Sequence, residues 1–483
     1  MDKPVAKSTA KGVVWSMVER VSTMGIQLLC TLVMAQFLSP SEFGLVGMIS
    51  IFMAFSNIII DAGFSQAIIR EKNVTAVDYS SVFLFNIALG CALYSLFFIL
   101  APFISQFYNE PRLTAIIRVS FLAMIIFSTT AVQQARLFKA VDSAKVSKVS
   151  LVAVVISGTI GIVTAWVTRS VWALVAQSLS FSVCRSLMLW IVGKWRPSAI
   201  FKWTSIRKYL GFSLNLLATN IVAAITDNLP NLFIGKSYSA STLGNYTIPD
   251  KLQRSVAGTL SFSIHRVSYP VMATFQDDID RLRDYSQKIV GMAFFIIAPI
   301  MMFLFVEATD IFDILLPSDW SAAPHYFRYM CIIGAVYCFA DINLDVLMVK
   351  GESSKIFRIE IIRKIVFVAA LVIGIFHSID YFLTILIIYN VFNALFVSYF
   401  SGRVIDCSLK RQIENILNTV IVLIFTTGMA LMVHDGLDEV CSLLRFIVVV
   451  LLYFIIYLSL SILLRNRNII EAKSLMRRFI CHT

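Results

Sequence analysis

Among the ionisable residues inside long apolar stretches of this chain, eight could carry chemistry: Glu19, Arg20, Arg185, Asp227, Asp250, Lys251, Arg254 and Asp341. A charge at the centre of a membrane helix costs ~2.5–3.5 kcal/mol on insertion scales, so each of these residues points to a binding or ion-carrying role. Guanidinium groups clamp anionic oxygens through paired N–H bonds. Carboxylates either pair with such bases or take up a proton or Na+. Bond-breaking chemistry has no comparable constellation. The eight cysteines (30, 91, 184, 331, 338, 407, 441 and 481) are scattered with no CxxC pair, which argues against a metal site or a disulfide framework. The adjacent Asp277 and Asp278 and the isolated histidines lack partners at useful spacing. The chain reads as a non-enzyme without a cofactor, with H+ or Na+ uptake as its candidate source of drive.

The charges lie on stripes. Ser16, Arg20, Thr23 and Gln27 fall within about 60° of one helix face, with Glu19 flanking it. Asn220, Asp227 and Asn231 share a face, as do Ser178, Ser182 and Arg185. Asp250, Arg254, Gly258, Ser261 and His265 form a fourth stripe, and Gly334, Cys338, Asp341 and Asp345 a fifth. These stripes predict a wet central cavity. Each has a plainer reading. Glu19 and Arg20 pair with each other; Arg185 snorkels to the surface; Asp345 anchors the inner interface; Asp61 caps a loop. Arg254 is hardest to dismiss, because it lies near the bilayer centre. Pro249 and Pro230 would break the hydrogen-bond ladder beside the cavity.

The elements that carry these stripes are transmembrane helices. Of 483 residues, 58% are hydrophobic and 14% charged, with mean hydropathy +0.81; a soluble domain carries roughly a quarter charged residues. Fourteen spans are expected: 12–38, 43–63, 82–103, 113–133, 147–167, 171–192, 209–235, 243–265, 289–306, 326–349, 361–376, 381–400, 413–433 and 442–464. The net charge of +12 follows topology and does not indicate nucleic-acid binding. Lys194, Arg196, Lys202, Arg207 and Lys208 crowd one loop and Lys350, Lys355, Arg358, Arg363 and Lys364 another, whereas 39–42, 307–325, 377–380 and 434–441 hold no Lys or Arg. The positive-inside rule then places both termini in the cytoplasm. The expected fold is all-α: an N-terminal six-helix half (1–192), a basic linker (193–208), a parallel C-terminal half (209–400), two additional spans (413–464) and a basic tail (465–483).

One hairpin, LSPSEFGLVGMISIFMAFSNIIIDAGFSQAIIREK (38–72), has a weak copy 200 residues later: Ser39-x-Ser41-x-Phe43-Gly44 matches Ser239-x-Ser241-x-Leu243-Gly244. This hairpin resembles the signature of the bacterial polysaccharide transporters, the Wzx-type flippases of the multidrug/oligosaccharidyl-lipid/polysaccharide exporter superfamily. Further similar blocks are LAPFISQFYNEP (100–111), SVWALVAQSL (170–179), KWRPS (194–198), NLFIGKSYSASTLGNY (231–246) and YPVMATFQDD (269–278). They match the branch that includes colanic acid and teichuronic acid exporters. The chain departs from the family where an acid becomes Pro230 and where a small residue and a tyrosine become Pro249 and Asp250; Asp227, one turn earlier, is placed to substitute for the lost acid.

The resemblance implies export of an undecaprenyl-diphosphate-linked oligosaccharide across the bacterial inner membrane, with membrane lipids around it and a polysaccharide polymerase as candidate partner. Arg20, Arg185, Lys251 and Arg254 become candidate diphosphate contacts. Glu19, Asp227, Asp250 and Asp341 become candidates for ion coupling or charge pairing. A multidrug exporter of the same superfamily is the alternative, and four candidate lumen bases argue against organic cations as cargo. A membrane polymerase or glycosyltransferase would need catalytic groups on a sizeable loop, and the longest outer loop, about Glu307–His325, has one histidine and no Lys or Arg.

Overall fold

Ser39 is extended (φ −73°, ψ 160°) and Pro40 takes the first helical position, where its missing N–H is no loss, so the signature hairpin's outgoing helix starts at this turn. It ends at Ala62 and Gly63, both left-handed, where Asp61 accepts a hydrogen bond from Ser65. Asp61 therefore caps this corner. The computed structural model describes residues 21–140, 142–437, 441–464, 466 and 468, and the regular structure among them is helical throughout.

The chain divides into two units, Met1–Thr247 and Ile248–Thr483. The first holds α1 (Val21–Ala35), α2 (Pro40–Asp61), α3 (Phe64–Arg70), α4 (Ala76–Tyr108), α5 (Leu113–Ser120), α6 (Leu122–Ser128), α7 (Ala131–Lys139), α8 (Ser143–Thr168), α9 (Trp172–Gly193), α10 (Trp203–Ser237) and the start of α11 (Ala240–Gln253). A reciprocal capping box between Thr75 and Asp78 starts α4. Helix α2 packs on α10 and α4, and α8 pairs with α9. Phe64, Phe83, Val132, Ile206 and Tyr209 close one end of the unit with an apolar cluster drawn from α3, α4, α7 and α10. Near the first turn of α2, Glu42 takes the Arg112 guanidinium at 2.9 Å and the Val171 N–H at 2.5 Å, fastening three connections together.

A π-turn at Arg254–Gly258 links α11 to α12 (Thr259–Thr274). The second unit continues with α13 (Ile279–Val306), α14 (Ala308–Leu315), α15 (Ala323–Val349), α16 (Ser353–Ile375), α17 (Ile379–Val404), α18 (Leu409–Gly436) and α19 (Ser442–Leu463). Helix α15 is its centre, packed on α13, α17 and α12. Its Asn343 donates to Ser398 of α17 at 3.0 Å in a fully buried contact. Phe303, Val306, Ala430, Val449 and Tyr453 bind α13, α18 and α19 together.

Ten helices among the described residues are long and apolar enough to cross a membrane, and the bent helix α10 makes an eleventh. The expected number was about fourteen. Helix α16 exists but carries Arg358, Glu360, Arg363 and Lys364 in its first half, and the α11–α12 run carries Asp250, Lys251 and Arg254. These charges leave both less apolar than the other long helices. The first expected span begins partly outside the described residues. The bend in α10, 50° between Trp203–Leu214 and Leu216–Ser237, lies well before Pro230, so that proline is not its cause. Large apolar side chains such as Ile99, Phe103, Trp166, Ile191, Met432 and Leu463 are exposed. Such surfaces suit hydrocarbon, and the protein is a multi-pass membrane protein.

Candidate functional site

Close packing places the two copies of the hairpin turn within the first unit. A Cβ on Gly44 would lie 1.8 Å from the Ala240 carbonyl oxygen, and one on Gly244 would lie 1.8 Å from the Pro40 carbonyl oxygen. Neither position tolerates a side chain. Positions 40 and 240, like 44 and 244, are equivalent in the repeat, so the contact is reciprocal, as across a two-fold axis. Beside it, Ser50 of α2 meets Asn228 at 3.3 Å and accepts from Asn231 at 3.2 Å, both on α10. The first repeat is thereby a packing unit as well as a sequence match.

A polar constellation of the second unit lies on α11, α12 and α15. Arg254 Nε donates to both oxygens of Asp250, one turn earlier, at 2.9 and 2.8 Å. Ser261 Oγ donates to Asp341 Oδ2 at 3.1 Å, and His265 Nδ1 meets Asp345 Oδ2 at 2.7 Å. Both rungs advance by four residues on each helix, so α12 and α15 run side by side in the same direction. Ser261 and His265 of one expected stripe and Asp341 and Asp345 of the other are thus the two sides of one ladder, while the π-turn takes Asp250 and Arg254 off that face. Asp345 is nearly sealed, its side chain 3% exposed, while His265 is 41% exposed. A buried acid held by an accessible imidazole joins the interior of the unit to its surface.

The π-turn sits immediately before this ladder. Pro249 removes an N–H from α11 and Gly258 closes the wide turn, so the hydrogen-bond pattern shifts register between them. Gln253 fills the space beside Gly334, where an added Cβ would lie 2.7 Å from its Nε2.

The remaining expected residues are placed as follows. Arg185, half-buried on α9, donates to Gln134 Oε1 of α7 at 2.9 Å. Asp227 is exposed on α10, and Lys251 is exposed on α11. Glu19 and Arg20 lie outside the described residues. Arg254 is paired with Asp250, yet its side chain remains 57% exposed. The sequence reading missed the His265–Asp345 rung as a unit, although both residues were on its stripes. It also missed a buried group of Glu307, Asp310, His434 and Arg445 at the ends of α13, α14, α18 and α19.

The profile of the family described as "Polysaccharide biosynthesis protein" matches residues 33–324. The chain is similar to the lipopolysaccharide biosynthesis protein WzxC of Escherichia coli (strain K12), with 23% identity over 370 residues, 76% of this chain and 75% of that protein. It is similar to the succinoglycan biosynthesis transport protein ExoT of Rhizobium meliloti (strain 1021), with 21% identity over 369 residues, 76% of this chain and 75% of that one. In fold it resembles the lipid II flippase MurJ in an inward closed conformation, with a TM-score of 0.75 and 13% identity, covering 94% of this chain and 99% of that one. With more than half of its length matched by the profile, the chain belongs to the polysaccharide biosynthesis protein family.

Proposed function

We propose that this protein is a flippase that moves lipid-linked oligosaccharide repeat units across the cytoplasmic membrane for surface polysaccharide assembly. The family match over 33–324 carries the reading. The transport and biosynthesis names of its relatives and the fold shared with a lipid II flippase support it. On this reading the protein is a transporter and not an enzyme.

A diphosphate-linked glycan is charged and strongly hydrated, and hydrocarbon excludes both properties. Polar groups inside a span give the head group a route, while the polyprenyl chain stays in lipid. The Asp250–Arg254 pair and the ladder behind it are such groups. Arg254, Lys251, Arg185 and Arg20 are proposed to meet the diphosphate. Glu19, Asp227, Asp250 and Asp341 are proposed to hold these bases or to take up the driving H+ or Na+. Alternating access of the two repeated halves, 1–192 and 209–400, is the proposed cycle, with both termini in the cytoplasm and a polysaccharide polymerase as partner.

Deletion of the gene in its native host tests this. Loss of surface polysaccharide together with accumulation of lipid-linked oligosaccharide on the cytoplasmic side is expected. Normal polysaccharide, or loss without that accumulation, would overturn the reading.

A further inference from the structure

Where α13 ends and α14 begins, four charged or titratable side chains are sealed inside the second unit. Glu307 and Asp310 are 0% exposed, His434 7% and Arg445 8%. Asp310 is fully engaged. Arg445 Nε donates to its Oδ2 at 2.7 Å, and Arg445 Nη2 holds its Oδ1. Glu307 is not engaged: neither carboxyl oxygen has a hydrogen-bond partner. His434 Nε2 also lacks a hydrogen bond and sits 3.5 Å from Asp310 Oδ2, while its Nδ1 is 3.5 Å from the exposed Asp435. One side-chain atom from each of Glu307, Asp310 and His434 lies within 4.8 Å of the other two.

Charge balance defines what is missing. The Asp310–Arg445 pair is neutral as a unit. An ionised Glu307 beside a neutral His434 leaves one buried negative charge with nothing bonded to it, a costly arrangement. One monovalent cation would remove it. A divalent ion would leave the group at +1 beside a guanidinium that already holds both Asp310 oxygens. Among the described residues, the groups facing Glu307 from neighbouring elements are few. Asp310 lies on α14, whose Asp313 is exposed; His434 and Asp435 are on α18, and Arg445 on α19. From α15, Arg328 reaches Thr309 at 3.1 Å, and His325 is occupied by Asp380 at 2.7 Å. The apolar cluster of Phe303, Val306, Val449 and Tyr453 lies alongside and offers no other cation.

We propose that Glu307 holds a single proton beside His434, which latches α14 to the last two helices of the chain. With the proton present, the buried group is neutral and α14 stays seated on α18 and α19. Without it, the bare negative charge draws in water and α14 loosens. Burial, together with the neighbouring Asp310, pushes the Glu307 carboxyl up to about 7 from its ordinary 4.5, in keeping with this placement. A raised carboxyl binds its proton more tightly in the folded protein than in the unfolded chain. The stabilisation is complete below pH 4.5 and is lost as pH rises to about 7. Other carboxylates set the total stability profile, so the contribution of Glu307 is read as the difference between wild type and variant.

Three measurements on purified full-length protein in lipid nanodiscs test the latch. Hydrogen exchange at the α14 amides, corrected for intrinsic rates, should rise between pH 5 and pH 8 in the wild type, by up to about tenfold per pH unit. Glu307→Gln keeps the shape of the protonated acid and should hold α14 protected across that range. Infrared difference spectra at acidic pH should show a protonated-carboxyl band that Glu307→Gln abolishes. Exchange that rises equally in both proteins, or a carboxyl band unchanged by the substitution, would overturn the proposal. So would stoichiometric Zn2+ binding that protects α14 at every pH and is lost in Glu307→Gln, which would make this a metal site. A protein in which Glu307→Gln fails to fold is replaced by His434→Gln. That variant should weaken the proton's hold and shift the α14 transition to lower pH, and an unshifted transition counts against the latch.

Discussion

Gly44 and Gly244 lie against each other's repeat: each presses its Cα on the backbone carbonyl four residues before the other, Gly44 on Ala240 and Gly244 on Pro40. A methyl group at either site meets backbone rather than a flexible side chain. Gly44→Ala or Gly244→Ala should therefore force α2 and α11 apart, at a cost of about 1–3 kcal/mol or more. Once the helices have separated, the second methyl finds space already made. The double substitution should thus cost less than the sum of the singles. Thermal unfolding of the four proteins measures this, and strictly additive losses would show that the two contacts are independent.

Arg254 and Asp250 separate two accounts of one ion pair. If the pair only neutralises itself, Arg254→Ala lowers protein level, and adding Asp250→Ala restores both level and transport. If Arg254 meets the substrate's diphosphate, Arg254→Ala keeps the protein but abolishes surface polysaccharide, and Arg254→Lys is intermediate because a point charge replaces a fork. The exposed guanidinium favours the second outcome. Full surface polysaccharide in the Arg254→Ala single variant would end the diphosphate assignment.

The ladder between α12 and α15 should respond asymmetrically. Removing His265 strands a carboxylate that is 3% exposed, whereas removing the acid leaves a histidine already in contact with its surroundings. His265→Ala is expected to cost ~1–3 kcal/mol, the desolvation penalty of an unsatisfied buried group. Asp345→Asn, which keeps the shape and drops the charge, should cost less. Unfolding midpoints for the two proteins decide the order, and a larger loss for Asp345→Asn would mean that the acid is held by something other than His265.

Topology follows from the Lys and Arg asymmetry. In a background lacking the eight native cysteines, single cysteines at Asp319 and Asp435 should react with an impermeant thiol reagent from outside the cell. Those at Lys202, Lys355 and Lys473 should react only after the membrane is opened. Asp435 and Lys473 labelling from the same side would remove the proposed last crossing and with it the proposal that both ends lie in the cytoplasm.

The hairpin, the repeat and the stripes were legible because each depends on periodicity within one segment. Ser261 and His265 must share a face whatever lies opposite them. Their partners were not legible, since spacing along α12 cannot say that α15 is the neighbour. The buried group around Glu307 was missed for the same reason: Asp310 and Arg445 are 135 residues apart. Each sits at the end of a span, where a charge ordinarily marks the water boundary. Arg445 did carry a signal, as a base on a side of the protein otherwise poor in bases. The π-turn had no signature beyond Pro249 and Gly258, and those residues also fit an ordinary kink.

That π-turn acts as a vernier between α11 and α12. A π-turn holds one residue more than the α-turn it replaces, and one residue is about 100° of helix rotation. Everything after Gly258 is therefore dialled round relative to Pro249 and Asp250. Trimming a single residue such as Val256 would leave composition, hydropathy and length almost unchanged. It would also let the π-turn close to an α-turn with Ser261 and His265 still facing Asp341 and Asp345, whereas the full-length segment wound as regular α-helix would swing both off by about 100°. The polar lining of α11 and α12 thus depends on a residue count as much as on residue types, and an alignment that closes a one-residue gap here would pair the wrong faces.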